Sequence, residues 1–94
     1  MNYVESTRVI YRAEKDGEIV AVLPDEPANR GRLVCYSHVG QHGECCFEWY
    51  RATRPAKPEE YQALHEELIN IYSVGEEPVR LDIRKRINVL RYNR

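Results

Sequence analysis

The densest chemistry in this chain is a run of thiols and imidazoles, Cys35, His38, His42, Cys45 and Cys46, spaced C-x2-H-x3-H-x2-C-C. Thiolates and imidazoles are the ligands tetrahedral zinc prefers, so Cys35, His38, His42 and Cys45 form a candidate metal set. Four ligands within eleven residues make a compact knuckle, whereas zinc modules usually split their ligands into two pairs across a longer insert. The alternative is a structural loop holding no cofactor, with glycines supplying special backbone angles and side chains bonding backbone groups. On that reading His38, Gly40, Gln41, His42 and Gly43 form a recognition loop. A cysteine nucleophile with His38 or His42 as base lacks a third partner beyond Glu44. Phosphate-cradling glycine loops and calcium loops are absent, so the expected protein is not an enzyme.

The second group with chemical reach is basic. Residues 1–79 carry net −6, whereas residues 80–94 carry net +5 through Arg80, Arg84, Lys85, Arg86, Arg91 and Arg94. Such a segment can track phosphates, and nucleic-acid binding is the alternative function it suggests. The overall pI of about 6.3 favours a different expectation, in which the segment pairs with the chain's own acidic residues. The chain is rich in tyrosine, with seven beside the one tryptophan. Such residues put apolar area into contact while a polar tip stays wet, which suits a core edge or a protein interface.

These residues need a scaffold, and 94 residues with 43% hydrophobic and 31% charged side chains suffice for one domain with a modest core. No apolar run reaches the roughly 18 residues of a membrane span, and residues 1–8 lack the pattern of a secretory signal. A cytoplasmic protein is expected. Three cysteines, two of them adjacent, argue against a disulfide framework.

Arg8 to Ala13 and Glu18 to Leu23 are rich in β-branched and aromatic residues and flank Asp16-Gly17, which predicts a β-hairpin. The second strand is apolar on both faces, so a helix should cover it on at least one side. A loop with two prolines leads to a third strand from Leu33 to Ser37. Residues 38–44 read as a polar loop. Residues 45–53 read as a fourth strand, with Phe47 and Trp49 turned to the core.

Pro58-Glu59-Glu60 opens a helix, with proline suited to its first position and acids to its positive end. Lys57 is a poor cap for it. Tyr61, Leu64, Leu68 and Ile71 form the apolar stripe, with Glu59, Glu60, Glu66 and Glu67 toward solvent. Gly75 and Pro78 end that region, and residues 80–94 form a basic last strand or tail. The expected architecture is a single α+β domain of order β-β-β-β-α-β, a four- or five-stranded mostly antiparallel sheet with one helix packed on one face.

The strings His38-Val39-Gly40-Gln41-His42-Gly43 and Arg54-Pro55-Ala56-Lys57-Pro58-Glu59-Glu60-Tyr61, together with Val9 to Arg12 and Asp16 to Pro24, resemble a family of small uncharacterised proteins of bacteria, their phages and other mobile elements. The resemblance spans most of residues 9–73. It implies a setting and marks the histidine loop as the family's signature, but it assigns no activity. Cys45 and Cys46 do not resemble part of that signature. The combined expectation is a non-enzymatic accessory protein acting through protein contacts, with a partner protein or with itself as a homodimer.

Overall fold

The computed structural model describes residues 6–26, 28–37, 41–72 and 80–85. Strand β1 (Ser6–Ala13) turns through Asp16-Gly17 into β2 (Ile19–Leu23), paired antiparallel with Ile10 opposite Val22. Gly17 takes φ +92°, a conformation that side chains disfavour, and the Asp16 carboxylate accepts the Glu18 N–H. The predicted hairpin is therefore present, closed by the residues that predicted it.

Strand β3 (Arg32–Ser37) pairs antiparallel with β2, and β4 (Gln41–Cys46) pairs antiparallel with β3. Helix α1 (Phe47–Ala52) follows directly, then the two-residue β5 (Arg54–Pro55), helix α2 (Pro58–Tyr72) and β6 (Arg80–Arg84). The sheet runs β4-β3-β2-β1, and the far edge of β1 is shared by β5, antiparallel, and β6, parallel. The result is a small α+β fold with a mostly antiparallel sheet and one main helix, as the sequence suggests. Of the basic tail, residues 86–94 lie outside the described residues.

Two expectations are corrected. Residues 41–44 are strand rather than loop, and residues 47–52 are helix rather than strand. In the helix Phe47 and Tyr50, three residues apart, are the buried pair. The Cys46 thiol serves as N-cap, accepting the Trp49 N–H at 3.4 Å. The second helix changes the shape of the core. Val9, Tyr11, Ala21, Leu23 and Tyr36 face α2 through Leu64 and Leu68. Ile10, Val22, Leu33 and Cys45 face α1 through Phe47 and Tyr50. The central strands are thus apolar on both sides because each side has a helix to meet.

At the start of α2 the Lys57 carbonyl, in place of a side-chain cap, accepts the Glu60 N–H at 2.8 Å, and Glu60 bonds back to Lys57. The Glu60 carboxylate accepts the Lys57 N–H at 2.8 Å while a fork from Arg54 grips it at 2.7 and 2.8 Å, half of a capping box. Both partners favour the charged carboxylate and hold Glu60 down to a pKa of about 2. Ile71, expected in the buried stripe, is 44% exposed. Glu67, expected in solvent, instead accepts the Tyr36 hydroxyl.

Candidate functional site

Side chains alternate across a strand, so sequence neighbours in β3 and β4 part company. Cys35 lies opposite Gly43 and Cys45 opposite Leu33, which sets the two thiols diagonally on the α1 side of the sheet. Tyr36 lies opposite His42, on the α2 side. The proposed ligand set is therefore divided by the sheet, with His42 on one face and Cys35 and Cys45 on the other. His38 and Gly40 lie outside the described residues. Gln41 begins β4 opposite Ser37, and Gly43 has open space around its α-carbon.

On the α2 side the polar tips form a layer between sheet and helix. The Tyr11 hydroxyl meets His65 Nδ1 at 2.7 Å, and its ring stacks on Tyr61 with centroids 4.4 Å apart. His42 Nε2 meets the Tyr72 hydroxyl at 2.7 Å, with the Tyr36 ring 5.0 Å away. Burial raises the Tyr11 and Tyr72 pKa values above that of a free phenol, because a phenolate would lose its hydration there. This layer holds every described histidine in contact with tyrosine, and His65 is a structural hydrogen-bond partner that no local sequence pattern marks.

On the α1 side, Arg12 is 7% exposed. Its guanidinium donates to Thr53 Oγ1 at 2.8 Å and to the Thr53 carbonyl at 2.6 Å, and lies 4.4 Å from the centre of the Tyr50 ring. Arg12 thus ties the C-terminal end of α1 to the sheet, where a cation complements the helix dipole. Nothing in the sequence marks this arginine among the chain's others except its place in a hydrophobic strand.

Beside α1 the cover stops short and a cavity of about 360 Å³ opens. Its lining residues include Cys35, Cys45, Cys46, Trp49, Arg32, Glu14, Glu18 and Glu44. Cys35 is half-buried and Cys45 buried, and all three cysteines are free thiols. Interaction between the neighbouring Cys35 and Cys45 thiols lowers the Cys35 pKa and raises that of Cys45, with burial adding to the latter. Trp49 Nε1 donates to Glu14 at 3.3 Å across the mouth of the same space. Among the described residues, Glu14, Asp16 and Glu18 bring their carboxylates close together.

The basic residues of the last segment are only partly in view. Arg84 is exposed and donates to Asp82 at 2.7 Å, and Lys85 is exposed. Arg80 is described by its backbone alone, opposite Ser6, and Arg86, Arg91 and Arg94 lie outside the described residues. No helix of the described residues is long and apolar enough to cross a membrane. Comparison of the chain with protein-family models, curated proteins and solved structures gives no match.

Proposed function

We propose that this chain is a non-enzymatic interaction protein that pairs with a second copy of itself through the edge of its sheet. The reading is set in the cytoplasm of the bacterial, phage or mobile-element context that the sequence resembles. The observation that carries it is the position of β4. It has β3 on one side and no strand on the other among the described residues. A strand in that place presents a row of outward N–H and C=O groups, a template for another strand.

Protective devices are sparse on this edge. Among residues 41–46 there is no proline and no lysine, and the centre is Gly43, around which a side chain would meet nothing. The residue order also suits pairing with itself. Two copies of β4 set antiparallel with Gly43 opposite Gly43 place His42 of each chain across from Glu44 of the other, a polar pair made twice by symmetry. Gln41 then faces Cys45. Glu44 is already steadied at its own edge by the Asn29 backbone and side-chain N–H groups, each 3.1 Å away.

Light scattering tests the reading. Wild-type protein at high concentration should show a mass near twice 11.1 kDa. Gly43→Lys should keep the fold, because the added side chain has room, yet give the monomer mass by setting two cations opposite each other. A wild-type monomer at high concentration, or a Gly43→Lys dimer, would overturn it.

A further inference from the structure

The cavity beside α1 has a chemistry that the edge-pairing function does not use. Its floor holds two thiols rather than one, placed by register. Cys35 faces Gly43 across the β3–β4 ladder, and Cys45 faces Leu33. Gly43 has no side chain, so the residue directly opposite Cys35 sets nothing over its sulfur. Diagonal residues of an antiparallel pair stand roughly 7–8 Å apart at the α-carbon, beyond the roughly 4.4–6.8 Å that a disulfide spans. The register therefore keeps the pair as two free thiols on one face of the sheet.

Charge around the thiols selects the class of guest. Glu14, Glu18 and Glu44 line the cavity against the single cation of Arg32. An anionic guest is repelled by that wall and a cation is attracted. Thiolates favour soft or borderline metals over calcium and magnesium, which take oxygen. Protons also balance for a divalent ion: two thiols release two protons, both sulfur lone pairs bind the ion, and the dithiolate complex is neutral. A monovalent ion would leave that complex negative among carboxylates.

We propose that Cys35 and Cys45 are the paired thiolate ligands of a thiophilic divalent cation of the zinc class. This site differs from the loop set of Cys35, His38, His42 and Cys45 in lying wholly on the α1 side. Cys46 stands apart from it, since its sulfur already caps α1. Trp49 is the built-in reporter, being the chain's one tryptophan, on the cavity wall and bonded to Glu14.

The experiment is a titration of reduced, tag-free protein with Cd2+, a spectroscopic stand-in for zinc. It is read by ultraviolet sulfur-to-cadmium charge transfer and by Trp49 fluorescence, and repeated with Zn2+ by the fluorescence alone. One ion per chain is expected, with both signals saturating together. Cys35→Ser, a change at a half-buried position, should weaken binding by about 100-fold or more, since the second sulfur acts at high effective concentration once the first is bound. Cys46→Ser and His42→Ala should bind like wild type. Wild-type affinity in Cys35→Ser, absence of charge transfer, or binding lost in Asp16→Asn and kept in Cys35→Ser would overturn the site, the last by placing the ion on the hairpin carboxylates. Light scattering on Cys35→Ser, which should keep the mass of wild type, separates failure of this site from failure of self-pairing.

Discussion

The two faces of this sheet are built from the same strands yet are finished differently. On the α2 side a fifteen-residue helix lays Leu64 and Leu68 onto Val9, Tyr11, Ala21, Leu23 and Tyr36. Polar tips there close in pairs, Tyr11 with His65, Tyr36 with Glu67 and His42 with Tyr72. On the α1 side a six-residue helix covers only part of the surface, and the uncovered part is the thiol-lined cavity. That side also leaves the Tyr50 hydroxyl buried without a hydrogen-bond partner among the described residues. One face is finished for stability, and the other keeps chemically active groups within reach.

Core truncation gives the widest separation between the faces. Leu64→Ala, at a fully buried position of α2, should cost about 3 kcal/mol in urea unfolding, the loss of transfer free energy plus a cavity. Trp49→Ala removes a larger side chain but should cost about 1.5 kcal/mol or less, because the ring already borders a cavity. Equal costs would show that the α1 side is as closely finished as the other.

The same tyrosine-to-phenylalanine change should have opposite signs on the two sides. Tyr11→Phe breaks the bond to His65 and should destabilise by about 1 kcal/mol. Tyr50→Phe removes an unpartnered buried hydroxyl and should stabilise by about 1 kcal/mol. Alkaline titration adds a second reading of Tyr11. Its folded pKa lies above the ordinary phenol value of 10.0, so the folded state favours the protonated hydroxyl. That stability is present below the unfolded pKa and is lost as pH rises toward the folded one. Tyr11→Phe should abolish this part of the alkaline loss.

The smallest effect belongs to the start of α2. Glu60 has a folded pKa of about 2 against an ordinary 4.5, so its contribution is present above the unfolded value and fades as pH falls toward the folded one. Wild type should lose helical circular dichroism or thermal midpoint across that window. Glu60→Gln should be flatter there, and the difference should shrink with added salt because the Arg54 pair is exposed.

What could be read from the residues follows the range of the interaction. The β1–β2 hairpin was legible because Asp16-Gly17 states its turn locally, and α2 because Pro58, Glu59 and Glu60 state its start. Residues 45–53 misled because six residues with apolar side chains at Phe47, Trp49 and Tyr50 satisfy a period of two nearly as well as a helical one. Their aromatic content tipped the reading to strand. Residues 41–44 hid a strand for the opposite reason: an edge strand with exposed His42, Gly43 and Glu44 has no buried face to impose alternation. The thiols were visible as a cluster, but their separation from His42 needed the β3–β4 register. The Tyr11–His65 bond joins residues 54 positions apart, and no local pattern announces it.

Strand β1 also has a consequence in time. It pairs with β2 a few residues away, yet its outer edge is closed by β6, with Ser6 set beside Arg80. On a ribosome adding roughly 5–20 residues each second, β1 waits several seconds for that neighbour. Through that interval the Ser6 to Ile10 stretch of this flank stands unclaimed, β5 having covered only Arg12 and Ala13, and the parallel closure is a late, long-loop event that should set the pace of folding.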